Sequence, residues 1–183
     1  SGLVPFGQAA WVETKLNLLL SYGMDLGNHT LDHPNLSSIS AEALQAQLAQ
    51  QARRLENWIH DETYRIDTFA LPYGSRPRDA VVQPFLISGS YDGFSYQHVA
   101  VLNVGSGPVP SPYTQNFNPY SLARIRASTL AVDGNGLYDV LARFEEQPWR
   151  RYISDGVMGV ISAPRSFADR LRSDLDQQLN LYD

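Results

Sequence analysis

Two periodicities run through the apolar positions of the chain. From Ala9 to Tyr22, Val12, Leu16, Leu19 and Leu20 recur at helical spacing, and Gly23 supplies the left-handed stop expected just after a helix. Met24 to Asn28 then reads as a short strand. Ser40 is placed to cap a helix running from Ala41 to about Ile59, with Leu44, Leu48, Leu55 and Ile59 on one face. Ile66 to Leu71 predicts another strand, ended by Pro72-Tyr73-Gly74, and Pro77 makes the residues beyond it irregular. Phe94 to Val104 alternates as a strand does, and residues 105–119, with four prolines and two glycines, read as a surface loop. Leu122 to Arg126 predicts a short strand, and Leu137, Val140, Leu141 and Phe144 mark a helix that must end near Pro148. Val157 to Ser162 predicts a strand, and Phe167, Leu171, Leu175 and Leu179 a last helix from about Ser166. Strands and helices alternate along the whole length. The expectation is an α/β fold with a mainly parallel sheet or barrel and helices outside, in one domain spanning residues 1–183.

Composition narrows the partners. With 183 residues, 43% hydrophobic and 18% charged, the chain has the make-up of a globular domain. Its net charge is −5 and its Lys and Arg residues are scattered, which leaves no electrostatic footprint for nucleic acid or an anionic membrane. A neutral sugar polymer suits such a surface. No apolar stretch approaches the roughly 20 residues that span a bilayer, and the first residues lack the regions of a signal peptide. The absence of cysteine excludes disulfides, thiolate nucleophiles and Cys-ligated zinc, so His, Asp and Glu are the candidate ligands.

The candidate chemistry centres on His29-Thr30-Leu31-Asp32-His33. His29 and His33 fall at the C-terminal end of a predicted strand and in the loop after it, where α/β folds place binding groups, and Pro34 keeps that loop out of a helix. Two neutral imidazoles from one loop suit zinc or a similar divalent ion, leaving positions for a carboxylate and water. Two loop histidines in ordinary hydrogen bonds are the plain alternative. A zinc protease fits poorly, since its HExxH helix needs Glu where Thr30 stands. Asp32 reads as a capping or solvent-facing residue.

With its flanks, from Gly23 to Leu36, this segment resembles the polysaccharide deacetylases, carbohydrate esterase family four. Phe69-Ala70-Leu71-Pro72-Tyr73-Gly74 resembles the Pro-Tyr-Gly loop that walls that family's groove. The resemblance implies an irregular (β/α) barrel of about seven strands, here incomplete at the N-terminus. It further implies a metal-dependent hydrolase that removes N-acetyl groups from a glucosamine-containing polysaccharide. His29 and His33 would hold a divalent metal, most simply zinc. Thr30 would orient their loop, and the backbone N–H of Tyr73 would help hold the oxyanion, making Tyr73 the catalytic position. An extracellular or cell-envelope location comes with the family, and the oligomeric state is open.

The departures support a second reading, a catalytically impaired deacetylase-like domain that binds carbohydrate. The family's Arg two residues before the loop proline is Ala70 here, with Arg124 and Arg126 as candidate replacements. No Asp-Asp pair, the family's source of a general base and third ligand, occurs in the chain. Its absence suggests that the native protein extends N-terminally and that the bare chain is marginally stable. Val160-Ile161-Ser162-Ala163-Pro164 lacks the family's general-acid histidine. His98 is a candidate acid or further ligand, weighed against a structural role, and Asp92 and Asp133 could approach a metal from loops but sit in Asp-Gly turns. His60 is assigned only a helix end.

Overall fold

The computed structural model describes residues 4–105, 107–127, 136–151, 153–175 and 178–183. Their contacts group into two compact units. The first comprises residues up to Val104 together with Pro119–Leu122, and the second Gly105–Asn118 and Ala123–Asp183.

The first unit is built around α2, Ala41–Glu56. The Ser40 side chain accepts the Ala43 N–H at 3.2 Å, Glu42 sits in the first turn, and Arg53 and Arg54 sit in the last, so the cap and charges all suit the helix dipole. One stripe of this helix serves two cores. Leu44, Leu48 and Ala49 pack with Leu36, Phe69, Leu71, Leu86 and Val101. Ala52 and Leu55 pack one or two turns further on with Ile59, Ile66, and the Val12 and Leu16 face of α1, Val12–Ser21. Gly23 ends that shorter helix at φ +75°, as its position predicts.

The strands are shorter than the sequence suggests. β1 is Thr68–Ala70, β2 Ser88–Tyr91, β3 Phe94–Gln97 and β4 Ala100–Leu102. β1 pairs parallel with β4, matching Phe69 to Val101, and β2 pairs antiparallel with β3 through the Asp92-Gly93 turn. The expected continuous strand from Phe94 to Val104 is thus two strands. His98 lies at the break, its N–H bonded to the Ile87 carbonyl. Met24 to Asn28 is also not a strand. The Tyr64 hydroxyl, not a neighbouring strand, takes the Leu26 N–H at 2.7 Å, and only Asn28 bridges to Phe69. Burial, followed by the bond to Asp25, pushes the Tyr64 phenol up to about 12.

In the second unit, α3 is Leu137–Glu146, with the Asp139 carboxylate accepting the Gly136 N–H at 2.9 Å. The stretch Leu122 to Arg126 reduces to isolated bridges, of Leu122 to Leu102 within the first unit and of Arg126 to Gly136 within the second. β5, Val160–Pro164, pairs parallel with β6, Gln178–Tyr182. The expected last helix is therefore corrected. Only a 3₁₀ segment at Arg165–Arg170 and then β6 occur, because Leu179 and Leu181 also satisfy a period of two, and Phe167 remains 45% exposed where a helical face would bury it. Among the described residues the sheets are three separate pairs, so the class is mixed α/β and the expected barrel does not close. No helix among the described residues is long and apolar enough to cross a membrane.

Candidate functional site: the histidine loop and its aromatic wall

Asn28 organises the loop that carries both histidines. It is 1% exposed. Its backbone N–H donates to the Thr68 carbonyl at 2.7 Å and its carbonyl accepts the Ala70 N–H at 2.9 Å, stitching it to β1. Its side-chain amide donates to the Leu48 carbonyl on α2, and its side-chain oxygen accepts the Thr30 N–H, both at 2.9 Å. A buried amide with all these bonds made is held in one orientation.

From that anchor the chain turns sharply. Thr30, buried and β-branched, sits at φ +66°, and His33 at φ +56°. The Thr30 hydroxyl accepts the His33 N–H at 3.1 Å. This is the loop-orienting part expected of that residue. Across the site, Tyr73 takes φ +54° in the Pro-Tyr-Gly turn. Three non-glycine residues in the left-handed region cost about 1–3 kcal/mol each, and such strain gathers at sites the surrounding structure is built to hold. Gly74 is required where it stands: its φ is +66°, and a Cβ would lie 3.0 Å from the Val104 side chain. The two loops are tied together by Ser75 Oγ donating to Asn35 Oδ1 at 2.7 Å and by the Arg78 N–H donating to the Ser37 carbonyl.

These turns bring three rings together. The His29 and His33 ring centroids lie 4.7 Å apart and those of His33 and Tyr73 4.5 Å apart, both edge to face. His29 Nδ1 lies 2.7 Å from the Ala70 carbonyl. A carbonyl only accepts, so in the neutral ring Nδ1 carries the proton and Nε2 keeps its lone pair. His29 is exposed and the Tyr73 ring is 68% exposed.

The other candidates lie elsewhere. Asp32 is engaged by α2: Gln47 accepts its N–H at 2.9 Å and donates back to its carboxylate at 3.0 Å. Asp92 pairs with Arg53 at 3.8 Å, and His60 with Glu13 at 2.8 Å. His98 is fully buried, its Nδ1 bonded to the Leu86 carbonyl at 2.7 Å, and its ring stacked on Phe69 with centroids 5.3 Å apart. Arg124 and Arg126 belong to the second unit, and Asp133 lies outside the described residues. The signals that sequence reasoning missed are Asn28 as the anchor and Gln47 as the partner of Asp32. The first was visible only as a polar residue inside an otherwise strand-like run.

In this mixed α/β unit the strained His-Thr-x-x-His turn faces the Pro-Tyr-Gly turn. Residues 6–83 match the polysaccharide deacetylase family, and this part of the chain is similar to that family. No curated protein matches the chain. Among solved structures, the wild-type BA3943 protein, a CE4 family pseudoenzyme from Bacillus anthracis, is 31% identical over 39% of this chain and 25% of its own, with a TM-score of 0.32. A mutant of it with restored enzymatic activity is 26% identical over 36% of this chain and 24% of its own, with a TM-score of 0.31. The chain spans about a quarter of the length of these structures.

The expectation of a working zinc hydrolase is corrected. A catalytic zinc takes three protein ligands, and among the described residues no group of three or more His, Cys, Asp or Glu could hold a metal ion. Asp32 is turned to Gln47, and His98 is buried against Phe69. The described residues do not fit a three-ligand centre.

Proposed function

We propose that this chain is a deacetylase-like domain that binds carbohydrate without turnover, its ligand being an N-acetylated glucosamine polymer. The observation that carries the reading is the row of rings His29, His33 and Tyr73, at successive centroid spacings of 4.7 and 4.5 Å, with Tyr73 68% exposed at its end. Sugar rings stack on such aromatic faces. With Nδ1 committed to the Ala70 carbonyl, His29 Nε2 can accept a hydrogen bond from a sugar hydroxyl or an amide N–H. Asp32, the carboxylate nearest in sequence to the histidines, is held by Gln47, so it does not serve as a base. Tyr73 keeps its place in this reading as a binding residue. The cell exterior or envelope is the location that goes with it.

The test is calorimetric titration of the chain with N-acetylglucosamine oligomers, with released acetate assayed in parallel. Saturable binding without acetate is expected, weakened severalfold by Tyr73→Ala, in keeping with the ~0.5–1.5 kcal/mol of an aromatic contact. Absence of saturable binding overturns the carbohydrate assignment. Acetate release that His29→Ala abolishes overturns the absence of turnover.

A further inference from the structure

Tyr73 is exposed, so little packs on its ring, and its place beside His33 is set by the loop that carries it. Main-chain bonds hold that loop at both ends, from the Leu71 N–H to the Leu102 carbonyl at 3.0 Å and from the Arg78 N–H to the Ser37 carbonyl at 3.2 Å. Between them the turn closes on itself, the Gly74 N–H donating to the Leu71 carbonyl and the Ser75 N–H to that of Pro72. Two side chains then tie it outward in different directions. Ser75 Oγ donates to Asn35 of the histidine loop, and Arg76 Nη2 donates to Asn103 Oδ1 at 2.9 Å and to the Tyr120 backbone carbonyl.

Both hydrogens of Nη2 are thus committed, and they go to two separate segments. Asn103 follows β4, and Tyr120 lies in the 3₁₀ turn Pro119–Ser121. Because both hydrogens lie in the guanidinium plane, two acceptors at one nitrogen restrict the rotation of that plane. The Asn103 acceptor is itself fixed. Its N–H donates to the Leu122 carbonyl at 2.7 Å and its side-chain amide to Ser121 Oγ at 3.0 Å, which aims Oδ1 at Arg76. The guanidinium is half-buried, and burial holds its pKa below the ordinary arginine value. A partly desolvated cation whose bonds go to neutral oxygens of two segments serves to hold those segments together. β4 pairs with β1, and the Ala70 carbonyl of β1 holds His29, so both ends of the ring row are referred to one strand pair.

We propose that Arg76 is a positioning residue for the aromatic wall: by clamping the Pro-Tyr-Gly loop to Asn103 and the Tyr120 carbonyl, it fixes the Tyr73 ring against His33. It touches no ligand and acts only through Tyr73. That the clamp also sets affinity for a glycan rests on the carbohydrate reading above, whereas the contact between Tyr73 and His33 does not.

The test reads the imidazole C–H resonances at fixed pH in the wild type, Tyr73→Ala and Arg76→Met, which keeps the aliphatic stem and removes the donors. In Arg76→Met the His33 resonances are expected to move toward their positions in Tyr73→Ala, as the ring leaves, while those of His98 stay in place. An unmoved His33 overturns the clamp, and an equal displacement of His98 overturns it in favour of a general structural role. Arg53→Gln, which removes an exposed cation paired with Asp92, should move neither. If Arg76→Met does not fold, Asn103→Ala removes one acceptor and keeps the main-chain bond to Leu122, and the same resonances decide. Calorimetry with a neutral chito-oligosaccharide gives the second readout. Arg76→Met should weaken binding about threefold beside Tyr73 and have no effect in a Tyr73→Ala background. Equal losses in both backgrounds overturn the positioning role. Absence of binding by the wild type overturns the carbohydrate reading and leaves the clamp to be decided by His33.

Discussion

His29 and His98 each place Nδ1 2.7 Å from a backbone carbonyl, of Ala70 and Leu86 respectively, yet they sit in opposite environments. His29 is exposed beside His33 and Tyr73, whereas His98 is fully buried between Phe69 and Tyr96, and its Nε2 meets no partner. The two are linked through adjacent residues of β1: the Ala70 carbonyl holds His29, and the Phe69 ring stacks on His98. The same hydrogen bond fixes the tautomer in both. What differs is the fate of the second nitrogen, available to a ligand in one case and desolvated in the other. In the carbohydrate reading proposed above, the exposed ring serves recognition and the buried one stability, and substitutions should separate the two.

The largest effect is expected at the shared strand. Phe69 is fully buried in the core with Leu44, Leu48 and Val101. Phe69→Ala should cost about 3–5 kcal/mol in urea unfolding, through lost burial and the cavity left behind. Because β1 also carries Ala70, glycan affinity should fall with it. A loss below about 1 kcal/mol would mean that the strand does not couple the two histidines.

Asn28 comes next. Asn28→Ala leaves the Leu48 carbonyl and the Thr30 N–H without their buried partners, and should cost about 2–4 kcal/mol. It should also release the left-handed turn at Thr30, so binding should weaken at temperatures where the variant is still folded. Full stability with unchanged binding would remove Asn28 from its place as the anchor.

The buried histidine should be visible in the pH dependence of stability. Burial holds the His98 imidazole below its ordinary value of 6.5, with the bond to Leu86 and the charge of Asp67 opposing the shift. The unfolded chain therefore takes up a proton at about pH 6.5 while the folded chain does not, and stability falls as pH drops below that value until the folded ring also protonates. The lowered carboxylates Asp61, Asp155 and Asp174 act only at more acidic pH, so the windows separate. Melting temperatures of the wild type and His98→Phe, measured from pH 7.5 to 5, should converge as pH falls. Parallel curves would place the titrating group elsewhere.

The sequence made legible those features that rest on local chemistry. α2 announces itself through Ser40 and the spacing of Leu44, Leu48 and Leu55, and the histidine and Pro-Tyr-Gly loops through their residues. It misled where a distant group decides the outcome. Met24 to Asn28 has the pattern of a strand, but the Tyr64 hydroxyl takes the Leu26 N–H. Leu171, Leu175 and Leu179 have the spacing of a helix, but β5 recruits Gln178–Tyr182 in parallel pairing. Within the site, the left-handed residues Thr30, His33 and Tyr73 carry no glycine signal; the side chains of Asn28 and Thr30 take the N–H groups of Thr30 and His33. The third metal ligand was expected from family resemblance alone, and no residue in the described structure fills that place.

The smallest effect is expected at Asp32, the residue between the two histidines in sequence and the one whose chemistry invites most suspicion. Its carboxylate accepts from Gln47 at 3.0 Å on an exposed surface, and the reciprocal bond to its backbone N–H does not depend on the side chain. Asp32→Ala should therefore change stability by no more than about 0.5 kcal/mol. Glycan affinity should stay within about twofold, because the group removed faces α2 rather than the ring row. A tenfold loss of binding in a fully folded Asp32→Ala variant would show that the carboxylate leaves Gln47 when ligand arrives. The exposed half of the comparison would then contain an acid as well as two imidazoles and a phenol.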